Sequence, residues 1–114
     1  TKLLGPSTCD AHPDIVHMVQ AMMQAQAPHA VATALRAMAD RRDFSALLDS
    51  IRLPVLIVTG SEDPIAPPLA TAEWANQIPD SRYVCLDHCG HLTPVEKPGE
   101  INELLSRLGL EKKQ

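Results

Sequence analysis

The sequence predicts an α/β fold, a helical N-terminal half followed by a parallel βαβα unit, on three observations. Through the first half, apolar residues recur at spacings of three and four, the period of an amphipathic helix. At Pro54 the period changes to a continuous β-branched run, Val55-Leu56-Ile57-Val58-Thr59, closed by Gly60. Beyond it, strand, helix, strand and helix alternate at the lengths of a βαβα unit, which sets the two strands parallel.

Each element has a local reason. Ile15, Met18, Val19, Met22 and Met23 form one stripe from Pro13 to about Gln26, and Pro13 suits a first turn, where its missing N–H costs nothing. Pro28 opens a second helix with Val31, Leu35 and Met38 on one face, running into Asp40-Arg41-Arg42. Asp43 reads as the cap of a short helix carrying Phe44, Leu47, Leu48 and Ile51. The Val55–Thr59 run reads as a strand buried on both faces. A helix from Pro67 to about Gln77 offers Leu69, Ala72, Trp74, Ala75 and Ile78 for burial, with Trp74 expected in the core. Pro79-Asp80-Ser81 breaks it, and Arg82 to Asp87 reads as the second strand, with Cys85 as a small buried apolar residue. After a loop from His88 to Gly99, Ile101, Leu104, Leu105 and Leu108 mark a last helix, and Lys112 and Lys113 suit the negative end of its dipole.

Composition excludes several classes. The 114 residues allow one domain; 45% are hydrophobic and 21% charged, which is a globular and not a disordered balance. A net charge of −4 with no basic cluster argues against nucleic acid or an anionic membrane as partner. No apolar run approaches the roughly 20 residues of a membrane span. No stretch reads as a signal peptide, and Thr1 in place of Met reads as a cut or processed start. Three Cys at irregular spacing predict no disulfide framework and a reducing, cytoplasmic setting. One Trp, one Tyr and one Phe leave a core of aliphatic residues, which lacks the burial that large rings supply.

Two loops follow the two strands, Gly60 to Pro67 and His88 to Pro98, at the end of the sheet where functional loops gather in open α/β folds. Adjacent strands lie about 4.8 Å apart, so Asp63 of the first loop and His91 of the second can meet. A carboxylate on one imidazole nitrogen sets the tautomer and leaves the other nitrogen free to act as a base. On these residues alone, a capping Asp and a solvated His remain an open alternative.

The segment Leu53-Pro54-Val55-Leu56-Ile57-Val58-Thr59-Gly60-Ser61-Glu62-Asp63-Pro64-Ile65-Ala66-Pro67 resembles the penultimate strand and acid loop of α/β-hydrolases. Gly90-His91-Leu92-Thr93-Pro94-Val95-Glu96-Lys97-Pro98 is similar to the family's histidine loop. The resemblance implies Asp63 as triad acid and His91 as catalytic base, in the family's chain order. It divides the chain into a helical cap-like segment, 1–52, and the C-terminal βαβα portion of the core, 53–114. The implied activity is hydrolysis of carboxylic esters, lactones or related acyl bonds, in the esterase, enol-lactonase and haloperoxidase-like branch, with no cofactor. The serine elbow, G-x-S-x-G, has its nearest counterpart in Gly5-Pro6-Ser7-Thr8-Cys9, where Cys replaces the second Gly and too few residues precede Ser7 to form a presenting strand. The chain therefore reads as supplying two of three triad members, and alone as inactive.

Other candidates carry less. Cys85, His88, Cys89 and His91 match no usual zinc spacing, so no metal is expected. Met18, Met22, Met23 and Met38 read as helix-packing residues, with an acyl pocket under a lid as the other option. His12, His17 and His29 fall on polar helix positions, and Glu96 is expected to shape the histidine loop without taking part in chemistry. With the second edge of the Val55–Thr59 strand unpaired, the chain is expected to form a homo-oligomer or to join a missing N-terminal chain. The rival class is a non-catalytic hydrolase-like module that self-associates or binds a small ligand.

Overall fold

The computed structural model describes residues 2–111. Their order is α1 (Pro6–Ala11), α2 (Pro13–Gln24), α3 (Pro28–Ala39), a 3-10 helix (Ser45–Ser50), β1 (Val55–Gly60), α4 (Pro68–Ala75), β2 (Ser81–Leu86), α5 (Thr93–Glu96) and α6 (Pro98–Glu111). The strands pair in parallel, Val55 opposite Ser81 through Gly60 opposite Leu86. This is the α/β architecture expected, with both strands and the four longer helices in place. Lys112 and Lys113 lie outside the described residues.

Proline starts α1, α2, α3 and α4 at their first positions, where φ is already suitable and no N–H is wanted. Asp43 does serve the 3-10 helix: its Oδ1 accepts from the N–H of Ser45 at 2.8 Å and from its hydroxyl at 2.5 Å. Two short helices lie outside the expected elements. α1 follows Pro6, and α5 lies inside the segment expected to be loop, started by Thr93-Pro94.

The core is small. Ile57, Ala75 and Ile78 are buried together, with Leu48, Ile51, Val55 and Tyr83 packed around them. Several expected core residues lie elsewhere. α4 turns Thr71, Ala75 and, just beyond its end, Ile78 toward the sheet, so Trp74 sits beside that stripe and is 39% exposed, while Leu69 sits across the helix and is 83% exposed. Cys85 is exposed because the apolar cluster on the sheet stops at Tyr83. Met18, Met22, Met23 and Met38 are also exposed, as are Phe44 and Leu47. α2 buries Val19, α3 buries no side chain, and most of their apolar stripes stay exposed.

These exposures show in the dimensions. The Cα radius of gyration is 16.1 Å, against about 13 Å for a well-packed domain of this length. The accessible surface is 8188 Å², against roughly 6,100 Å² for a folded monomer of this mass.

Candidate active site

The carboxyl ends of β1 and β2 place their loops side by side. β1 ends at Gly60, and a Cβ there would run into the carbonyl groups of Cys89 and Gly90. A Cβ on Gly90 would meet the Gly5 nitrogen and the Leu4 backbone. Glycine is therefore what lets the acid loop, the histidine loop and the segment before α1 pack backbone against backbone.

Within this junction His91 Nδ1 lies 2.9 Å from Asp63 Oδ2. Asp63 is buried, and its other oxygen accepts from the N–H groups of Ile65 at 2.8 Å and Ala66 at 3.0 Å. That is an Asx-type turn, which aims the carboxylate. The turn is braced from β1, since the Thr59 hydroxyl donates to the Ala66 carbonyl at 3.0 Å. Burial pushes the Asp63 carboxyl up, but the Ala66 N–H, the His91 imidazole, the Ile65 N–H and the charge of protonated His91 outweigh it. The net result holds Asp63 below the ordinary Asp value, so it stays an acceptor for His91. The His91 side chain keeps 36% of its surface open. Its backbone N–H donates to the Leu3 carbonyl at 2.9 Å.

This arrangement is a buried carboxylate orienting a half-open imidazole at the end of a parallel sheet. The family model for the alpha/beta hydrolase fold matches residues 14–98. The chain belongs to that family.

Relatives of this α/β-hydrolase chain are esterase-like. A pimeloyl-[acyl-carrier protein] methyl ester esterase of Aromatoleum aromaticum is 38% identical over 79 residues, covering 68% of this chain and 31% of that protein. A putative carbamate hydrolase, RutD, of Escherichia coli is 37% identical over 65 residues, 57% of this chain and 24% of that protein. Among solved structures, a thermophilic esterase from Thermogutta terrifontis superposes with a TM-score of 0.91 at 33% identity, over 97% of this chain and 40% of that one. MenH from S. aureus superposes with a TM-score of 0.85 at 25% identity, over 96% of this chain and 41% of that one. The chain thus spans less than a third of these curated relatives and about two fifths of the solved structures.

The remaining candidate residues of this hydrolase chain fall outside the Asp63–His91 pair. Ser7 donates its hydroxyl to Glu62 Oε1, its N–H to Glu62 Oε2 at 2.9 Å, and lies 3.2 Å from His88 Nδ1. No hydrogen bond among the described residues joins Ser7 to His91. Ser7's own hydrogen bonds, with burial opposing, and the nearby His88 hold the Glu62 carboxyl below its ordinary value. Cys89 is fully buried, and that burial, reinforced by Glu96, pushes its thiol up to about 12. The thiol is therefore protonated and unreactive near neutrality. Among the described residues, no three His, Cys, Asp or Glu side chains converge as a metal site. No described helix is long and apolar enough to cross a membrane.

Sequence reasoning missed the part played by Leu3 to Thr8. That segment holds the histidine loop through the Leu3 carbonyl and through Gly5 and Thr8, which both reach Glu96. Pro6, at a helix-starting position like Pro13, was a usable sign of α1. Nothing in the sequence signals a tertiary contact to residues more than eighty positions away.

Proposed function

We propose that this chain supplies the acid and base of a serine-type hydrolase acting on carboxylic esters, lactones or related acyl bonds. The observation that carries the reading is the buried Asp63 carboxylate 2.9 Å from His91 Nδ1. In that scheme Asp63 holds the Nδ1–H tautomer, and Nε2 of His91 takes the proton from a serine hydroxyl and returns it to the leaving group. The serine and the oxyanion hole come from outside these residues, since Ser7 is engaged by Glu62. Residues 1–52 then act as a cap-like segment and 53–114 as the last part of the catalytic core. No cofactor enters the scheme. Free thiols at Cys9, Cys85 and Cys89 fit a cytoplasmic setting.

The test is hydrolysis of p-nitrophenyl acetate by the chain beside its His91→Ala variant. The expected result is turnover at the buffer background for both, because base and acid without a nucleophile form no acyl intermediate. Turnover comparable to a true esterase and abolished by His91→Ala would place the nucleophile inside the chain and overturn that part of the proposal.

The excess surface supports a second element, association. Among the described residues β1 pairs with β2 alone, which leaves its other edge as a template for another strand. The exposed Met22, Leu35 and Met38 add apolar area to be covered. The chain is accordingly read as joining a second copy of itself or an N-terminal portion of the hydrolase fold. Sedimentation velocity at micromolar concentration decides it: a sharp species near 12.4 kDa with cooperative unfolding would overturn association. A stable assembly without hydrolysis in any partner's presence would favour the non-catalytic module.

A further inference from the structure

Glu96 is a buried carboxylate that the Asp63–His91 chemistry does not use. Its Oε1 accepts from Gly5 N–H at 2.8 Å, the Thr8 hydroxyl at 2.7 Å and Gly90 N–H at 2.9 Å. Its Oε2 accepts from Leu92 N–H at 3.1 Å. The last bond reaches back from the fourth residue of α5 to the N–H of its N-cap, Leu92. None of the ion pairs among the described residues includes Glu96, so its partners are neutral donors.

Two of those four bonds straddle His91. The N–H groups of residues 90, 91 and 92 are all held, the outer two by Glu96 and the middle one by Leu3. The segment that carries Leu3 is itself tied to Glu96 through Gly5 and Thr8. The backbone of His91 thus sits in a closed ring of hydrogen bonds with one carboxylate at its centre. Its imidazole has a single hydrogen bond among the described residues, to Asp63, and a partly open surface. The direction of the ring therefore rests on the Asp63 bond together with the place of the backbone that carries it. We propose that Glu96 is a positioning residue, which keeps the backbone of His91 where Nδ1 meets Asp63 and so maintains the tautomer that a base requires. The proposal rests on the reading of Asp63 and His91 as acid and base.

The experiment is long-range proton–nitrogen NMR of the full chain labelled at histidine ring nitrogens, at about pH 8, where an unperturbed imidazole is neutral. His91 is assigned by its absence in His91→Ala. The wild-type His91 should be mainly the Nδ1–H tautomer, and Asp63→Asn should move it toward the mixture of a free imidazole. Glu96→Gln keeps an oxygen for Gly5, Thr8 and Gly90 but turns an amide NH₂ against Leu92 N–H. It should raise the minor tautomer at least about threefold, reported by the ring nitrogens. Thr8→Ala removes one bond of Glu96 and leaves those to Gly5, Gly90 and Leu92, so it should lower the melting temperature and move the tautomer less than Glu96→Gln does. Glu96→Asp, one methylene shorter, should reproduce the Glu96→Gln shift if that variant folds too poorly for spectra. A lower melting temperature in the Glu96 variants with the wild-type tautomer would overturn the proposal and leave Glu96 as a clamp on α1. An unmoved tautomer in Asp63→Asn would overturn the Asp63–His91 pairing itself, and the role of Glu96 with it.

Discussion

Between the end of β1 and the start of α6, backbone lies on backbone so closely that neither Gly60 nor Gly90 has room for a methyl group, whereas α2 and α3, each twice the length of α1, bury Val19 and nothing else between them. The first region is held by directional bonds. Glu62 and Glu96 collect N–H or hydroxyl donors from other segments, while Asp63 takes two N–H groups from its own turn and meets the His91 imidazole of the next loop, and the sheet end is pinned from three sides. The second region has amphipathic helices whose apolar stripes are left uncovered. Hydrogen bonds and close approach can complete a local junction from few residues, because each needs one well-aimed neighbour. A hydrophobic stripe is completed only by a broad partner surface, which a two-stranded sheet is too narrow to supply.

The comparison breaks most directly at Gly90. Gly90→Ala places a methyl group against the Leu4–Gly5 backbone, which has no flexible side chain to yield. It should cost at least about 3 kcal/mol, the upper part of the range for overpacking, or abolish the cooperative transition in a thermal melt followed by circular dichroism. A melt within 1 kcal/mol of wild type, roughly the threshold of a typical mutational effect, would show that the junction is looser than the close approach implies.

Thiol labelling separates the same two environments chemically. Cys85 is exposed, whereas Cys89 is sealed and its thiol is pushed up to about 12. Maleimide labelling of the native protein, read by mass spectrometry, should modify Cys85 at least about 100-fold faster than Cys89. Equal rates would mean that the histidine loop opens readily.

Asp63 ties the junction to pH. Its folded carboxyl lies below the ordinary Asp value of about 3.9, so its contribution is fully present above that value and is lost as pH falls through the lower folded one. Asp63→Asn keeps the turn-forming oxygen and loses the charged partner of His91, at a cost of about 2 kcal/mol near neutrality, as for a hydrogen bond to a charged group. In urea titrations the difference between wild type and variant should shrink as pH drops into the acid range. A difference that stays constant there would detach Asp63 from the acid sensitivity.

The smallest effect belongs to the other region. Met22→Gln and Leu35→Gln, on the exposed stripes, should move the melt by less than about 0.5 kcal/mol at the lowest workable concentration. Both should shift sedimentation toward smaller species. A loss of 2 kcal/mol or more, the size of a core truncation, with unchanged sedimentation would mean that the stripes pack inside the chain.

The order of the elements was legible from period and punctuation. Pro13, Pro28, Pro54 and Gly60 stand where elements begin or end, and Val55 to Thr59 reads as a strand without tertiary help. The association of Asp63 with a turn and His91 with the following loop was legible too, because both sit just past a strand. Burial was legible far less well. Trp74, Cys85 and the four Met residues are apolar, yet a residue is buried only where a partner surface meets it.

By itself, then, the sequence determined the α/β class, the parallel pair of strands and the two loops that carry Asp63 and His91, since these follow from local periodicity and from the few ways a strand, helix and strand connect. Only the tertiary structure decided that Leu3 to Thr8 closes over the histidine loop, that Glu96 gathers Gly5, Thr8, Gly90 and Leu92, and that Gly60 and Gly90 are the points of contact. Those facts depend on which distant backbone groups arrive with unpaired donors. Arrival is a property of packing in three dimensions, and spacing along the chain carries no record of it.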